Sequence, residues 1–324
     1  MREIYITNEG RERGKEYRFP ALYMQKGVFY ALLAYGIWGF LPIYWKWVDH
    51  VPSDEILIHR IIWSFVFSFI FVFVIIDRQE FLNSIRILRK EPKQMLIIFT
   101  ASVIITSNWF LFIWAVNSGH VTDASLGYYM NPLISVLLGV IFFHERMNRG
   151  QRISFLFAVI GVIILTVSHG SFPLIAFGLA LTFGFYGLLK KLVRLDALIG
   201  MTIETLFILP VAVGYFIYLQ RAGKSVFLAD SVLTDIVLVG AGLATFIPLF
   251  FFAKGVQRIP LYYAGILQYI APTVMLLLGV FLYHESFSIV QFSAFSFIWL
   301  ALIAFTYTNV KELYKKKQKG EVSM

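Results

Sequence analysis

Two charged residues stand inside long apolar stretches of this 324-residue chain: Arg60 in "LIHRIIWSF" and Glu204 in "MTIETLFIL". An ionisable group in such surroundings is costly and needs a ligand or a partner. Arg60 would attract an anion, and Glu204 a proton or cation, which suits gating or coupling roles. The alternative for each is snorkelling or structural pairing near a helix end. Each lies about 10 Å in from the start of its own stretch, but from opposite sides of the membrane in the topology below, so they are not expected to pair directly. Two further pairs, His144-Glu145 and His284-Glu285, suggest a metal or catalytic site. A zinc-protease motif needs a second His one turn on, but the chain reads "HERMN" and "HESFS". These pairs are read as helix caps that lock their loops. No Gly-rich phosphate loop ending in Gly-Lys-Ser/Thr occurs, and cysteine is absent. No catalytic residue, cofactor or metal is assigned, and the expectation is a non-enzyme.

Amides and aromatics gather around two prolines. "LGYYMNP" supplies Tyr128, Tyr129, Asn131 and Pro132; "ILQYIAP" supplies Gln268, Tyr269 and Pro272. Proline removes a backbone donor and frees the carbonyl one turn earlier, here those of Tyr128 and Gln268. Asn108, Trp109, Trp114 and Asn117 lie on one neighbouring stretch, and Tyr35, Trp38 and Tyr186 on others beside glycine pairs. Amides facing lipid would be costly, so Asn108, Asn131 and Gln268 are expected to face the interior. Trp45 and Trp47 are assigned to an interfacial belt. Ser53 is expected to cap the helix carrying Arg60, and Asp123 the helix carrying Asn131.

The elements that hold these residues follow from composition. The chain is 59% hydrophobic and 15% charged, against about 45–50% and about 25% in soluble domains. A bilayer core about 30 Å thick needs about 20 apolar residues per helical span. Ten such runs occur, at about 27–47, 56–76, 95–116, 122–143, 152–168, 173–189, 199–219, 235–253, 261–283 and 289–308. The fold class is all-α, integral to the membrane, with ten transmembrane helices and little room for a soluble domain. Residues 1–25 read as a charged, disordered tail. With both termini placed in the cytoplasm, 24 of the 28 Lys and Arg fall on the cytoplasmic side, as the positive-inside rule requires. The basic tail at 311–324 then faces anionic lipid, which disfavours nucleic acid as the reason for the net charge of +9.

The chain repeats itself. "LLGVIFFHE" (137–145) and "LLGVFLYHE" (277–285) match at an offset of 140, which also aligns Pro132 with Pro272 and Gln151 with Gln291. "YGIWGFL" (35–41) faces "FGFYGLL" (183–189) at an offset of 148. The repeats span 26–170 and 171–310, with five runs each. Five is odd, so the second must be inverted in the membrane. Inverted repeats are characteristic of secondary transporters, whose site lies near the midplane between the halves. The two prolines lie about 15 Å deep in their runs, which points to that level.

These residues resemble the drug/metabolite transporter superfamily, specifically the ten-helix proteins with two EamA repeats. Residues 26–64 resemble the opening of RarD-type permeases, and "GYYMNPLISVLLGVIFFHERM" (127–147) and "QYIAPTVMLLLGVFLYHE" (268–285) resemble their repeat signatures. The resemblance covers about residues 24–310. It implies a bacterial plasma-membrane (inner-membrane) transporter with a central cavity lined by runs 1, 3, 4, 6, 8 and 9. On this chain that lining includes Trp38, Asn108, Trp114, Asn131 and Gln268, with Tyr128 and Tyr269 beside them. The RarD label carries an association with chloramphenicol sensitivity, while relatives move amino acids, sugars and metabolites. The expected partners are a small-molecule substrate and the bilayer; monomer and homodimer are both compatible with the sequence. An intramembrane enzyme or sensor is the competing class, and it would need an acid–base constellation that the chain does not display.

Overall fold

The structure, a computed structural model, describes residues 21–318 other than 119, 171–172 and 285–287. Twelve α-helices form it: α1 (Ala21–Trp45), α2 (Ser53–Ile75), α3 (Arg78–Lys90), α4 (Pro92–Asn117), α5 (Val121–Phe143), α6 (Arg149–His169), α7 (Leu174–Leu192), α8 (Ala197–Arg221), α9 (Val232–Val256), α10 (Leu261–Gln268), α11 (Ile270–Phe281) and α12 (Ile289–Gln318). Among the described residues ten spans are long and apolar enough to cross a bilayer, α10 and α11 together making the ninth. The core is therefore reached from all sides by apolar helices, and the exposed large hydrophobics, such as Phe73, Val167 and Phe281, cover the outer faces.

Polar residues set the helix starts. Asp77, Asp196 and Ser231 accept from backbone N–H groups of the first turns of α3, α8 and α9, satisfying donors that a helix end leaves open. Asn148 and Gln151 form a capping box at the start of α6. Ser288 and Gln291, their counterparts at the offset of 140, exchange the same two bonds ahead of α12. Two cap assignments are corrected. Pro52 occupies the position before α2, and Ser53 is its first residue. His120 precedes α5, and Asp123 lies in the first turn with His120 Nδ1 3.4 Å away.

Other boundaries also shift. The expected tail ends earlier, because α1 begins at Ala21; residues 1–20 fall outside the described ones. The basic tail is helical as far as Gln318. Residues 77–94, which connect the second and third apolar runs, contain α3, which buries Ser84 and Leu88 while Arg78, Arg86, Arg89 and Lys90 are exposed. The two proline runs differ: α5 is continuous through Pro132, whereas the ninth span breaks at Tyr269, three residues before Pro272.

The packing crosses between the chain's halves. α1 lies against α9, α10 and α11, α7 lies against α4 and α5, and α2 lies against α8 and α9. Glycines allow the closest approaches: a Cβ on Gly242 would collide with the backbone of α2 at Trp63, and one on Gly265 would meet the Pro132 carbonyl oxygen at 2.8 Å. Of the expected glycine pairs, Gly39 and Gly184 lie close against α11 and α5, while Gly36 has open space beside it.

Candidate functional site

Arg60 projects from α2 among four other helices. Its Nε donates to Thr245 Oγ1 of α9 at 2.9 Å, and that hydroxyl donates to the Ala241 carbonyl at 2.8 Å. The guanidinium carbon lies 5.3 Å from the Trp45 ring of α1 and 5.0 Å from the Trp109 ring of α4. The Tyr128 phenol of α5 is within electrostatic reach. Among the described residues no carboxylate lies within ion-pair distance of Arg60. An arginine inside a span costs at most about 2.5–3.5 kcal/mol on insertion scales, the figure for the bilayer centre. A desolvated cation–π contact returns about 2 kcal/mol, so two tryptophans and a hydroxyl can hold the charge without a counter-ion. Trp45, the last residue of α1, thus also belongs to this cluster, while Trp47 is exposed.

Glu204 is engaged differently. Its Oε2 lies 2.8 Å from Lys190 Nζ, with the two side chains 6% and 1% exposed. Lys190 Nζ also sits 5.6 Å from the Tyr186 ring centroid, and the Ser102 hydroxyl donates to the Glu204 carbonyl at 2.6 Å. Lys190 falls one residue beyond the apolar run at 173–189 and, from the sequence, counts among the cytoplasmic-side charges. The missed signal was Glu204 itself, since a carboxylate in an apolar helix needs a counter-ion on a neighbouring helix. As expected, Arg60 and Glu204 are not paired. A cavity of about 10 Å³, room for about one water, lies beside Glu204, lined by Ser102, Thr106, Trp109 and Thr205 among others.

Trp38 joins an aromatic cluster in which α1, α7 and α9 meet. Its ring centroid lies 5.8 Å from Tyr35, 5.8 Å from Phe183 and 5.6 Å from Phe252, and Tyr186 stacks on Phe252 at 6.0 Å. The Tyr35 hydroxyl is buried without a hydrogen-bond partner, and so is Asn131 Oδ1. Such orphaned groups cost about 1–3 kcal/mol each and are where water or a ligand would be accepted. Gln268, 6% exposed, ends α10 beside the break, and no hydrogen bond to another described residue engages its amide. The segment of α5 around Pro132, Ser135 and Val136 packs on Gly265 of α10, and the Tyr269 hydroxyl donates to the Tyr129 carbonyl at 3.2 Å. Asn131 and Gln268 therefore lie on the two segments that meet at the prolines.

Other residues singled out in the sequence have different surroundings. Asn108 donates to the Leu179 carbonyl at 3.0 Å and to Thr182 Oγ1 at 2.8 Å, tying α4 to α7. Trp114 is 45% exposed and stacks on His120 at 6.0 Å, at the turn between α4 and α5. Tyr128 is partly exposed and meets Phe112 edge-on at 5.7 Å. Glu145 accepts from the backbone N–H groups of Leu261 and Tyr262 and from Lys191 Nζ, so the first His-Glu pair locks a loop. His144 itself adopts a left-handed conformation, φ 52°, and His284 does the same at φ 54°. Glu285 lies outside the described residues.

Ten spans around a buried polar and aromatic interior, with no free-standing soluble domain among the described residues, define a multi-pass membrane protein of the transporter class. Residues 25–167 match the EamA-like transporter family. The chain is 47% identical over 290 residues to "Uncharacterized transporter YojE" of Bacillus subtilis (strain 168), covering 89% of this chain and 95% of that protein. It is 41% identical over 292 residues to "Protein RarD" of Salmonella typhi, covering 90% and 98%. A solved crystal structure aligns at a TM-score of 0.68 and 17% identity, covering 88% of this chain and 98% of its own, which speaks for the fold alone. The chain belongs to the EamA-like transporter family of the drug/metabolite transporter superfamily, as a RarD-type permease. It is a multi-pass transporter of the bacterial inner membrane, acting on a small molecule within the bilayer.

Proposed function

We propose that the chain is a secondary-active or facilitative exporter of small metabolites or drugs, working by alternating access around a midplane site. The reading rests on the crossed packing of its halves. α1 bears on the second half and α7 on the first, so a tilt of one half moves the walls of the other. At the one-residue interruption of the ninth span, Gln268 lies on the segment that packs on the α5 segment bearing Asn131, where irregular backbone is tolerated because protein surrounds it. The two halves are inverted repeats with both termini cytoplasmic. Trp38, Tyr128, Asn131, Gln268 and Tyr269 form the substrate region, Pro132 and Pro272 let its helices bend, and Asn108 and Trp114 support it from α4. Arg60 and the Glu204–Lys190 pair gate it on opposite sides.

Flux in proteoliposomes across a metabolite panel that includes chloramphenicol tests this reading. Asn131→Ala and Gln268→Ala should each lower flux of the transported compound at least tenfold, with the protein still monodisperse. Unchanged flux in both variants would remove these residues from the site. Turnover of a compound without its movement across the bilayer would favour an enzyme instead.

A further inference from the structure

We propose that Arg60 is the subsite for the anionic group of the substrate, and that this substrate is a small organic carboxylate without a cationic group. The inference deepens the transporter reading and rests on it. A guanidinium carries five N–H donors. Thr245 Oγ1 takes the one on Nε, and among the described residues no hydrogen bond takes the four on the terminal nitrogens. Those four form the end-on fork that a carboxylate accepts with two parallel bonds.

Charge accounting over the interior points the same way. Lys190 and Glu204 neutralise each other at 2.8 Å, as do Lys191 and Glu145 at 2.9 Å. Buried Glu55 is taken up by the Val226 and Phe227 N–H groups and the Ser225 hydroxyl. Glu55 has no cation beside it, but its oxygens are already taken by these donors; Arg60, with no carboxylate within ion-pair distance among the described residues, rests on the Trp45 and Trp109 rings and Thr245 with its terminal N–H groups unclaimed. An entering monoanion would neutralise it. Among the described residues, Glu204 and Glu145 already hold a lysine and Glu55 already holds three N–H and O–H donors, so the ammonium of a zwitterion would find no free partner. A phosphate dianion would exceed the single cation, and its surplus would face the negative faces of two indoles. The indole walls suit a flat hydrocarbon body attached to the carboxylate.

Benzoate is the probe, and benzamide its neutral isostere. With full-length protein in detergent, benzoate should quench tryptophan emission saturably, with a Kd at least tenfold below that of benzamide. Phenylalanine and inorganic phosphate should displace it at least tenfold less well. Arg60→Gln should abolish the preference for benzoate over benzamide. If that variant aggregates, Arg60→Lys, which keeps the charge and loses the fork, should weaken benzoate at least threefold and leave benzamide unchanged. Equal binding of benzoate and benzamide, a preference that survives Arg60→Gln, or unchanged benzoate binding in Arg60→Lys would overturn the subsite. Equal displacement by phenylalanine or phosphate would overturn the substrate class. Labelled-benzoate flux separates the two readings. Binding lost in Arg60→Gln without flux in the native protein would count against transport alone. Flux of a neutral compound, unaffected by Arg60→Gln, would count against both the anion subsite and the gating role of Arg60 and leave transport itself standing.

Discussion

Removing Lys190 would strand a carboxylate among apolar helices. The Lys190–Glu204 pair is nearly sealed from solvent, and breaking one side of such a pair costs about 3–5 kcal/mol, while replacing both sides with apolar groups can be neutral. Lys190→Met should therefore lower the thermal unfolding midpoint in detergent sharply, and the double variant Lys190→Met/Glu204→Leu should recover most of the loss. A single variant as stable as the parent would mean that the pair is solvated. At this scale the sequence was partly legible. Arg60 and Glu204 announced themselves because charge inside an apolar run has few explanations. Trp45, Thr245 and Lys190 did not, because a tryptophan, a threonine or a terminal lysine looks ordinary until another helix brings it a partner. Asn108 shows the reverse error: an interior amide was legible, but its two bonds to α7 could not be read from one helix.

Among the elements, α10 depends most on another segment's side chain. Pro260 precedes it without a side-chain cap, and Glu145 supplies the missing acceptor to the Leu261 and Tyr262 N–H groups. Loss of a helix cap costs about 0.5–2 kcal/mol, and here Lys191 would also lose its carboxylate. Glu145→Ala should destabilise the protein by about 2–3 kcal/mol in thermal or denaturant unfolding. It should also raise hydrogen exchange at Leu261–Ala264 before that elsewhere; uniform exchange would show that Glu145 does not hold this end. The ten spans were legible because each is an uninterrupted apolar stretch of bilayer length. α3 was missed because it is too short and too charged to stand out among spans of bilayer length, although Phe81, Ser84 and Leu88 recur at helical spacing. The two prolines looked equivalent, yet only the ninth span breaks. A proline marks where a carbonyl is freed, while neighbouring helices decide whether the chain yields there.

For the molecule as a whole, the proposed inversion has a direct measurement, since the chain has no cysteine of its own. Single cysteines at Asn148 and Ser288, which hold matching positions ahead of α6 and α12, should label with impermeant reagent from opposite faces, Asn148→Cys only from the cytoplasm. Labelling of both from one face would end the inverted arrangement. The offset of 140 made the repeat visible in the letters, but the crossed partnership of the helices was not visible there, because offsets carry no information about who packs on whom. That partnership has a consequence for biosynthesis. α1 leaves the ribosome about 210 residues before α9 is complete, an interval of about 10–40 s at ordinary elongation rates. During that time α1 sits in lipid without the helices it is shaped to meet. A chain stalled before α9 would carry a first half with its interior face turned toward lipid, a natural signal for quality-control proteases to act upon.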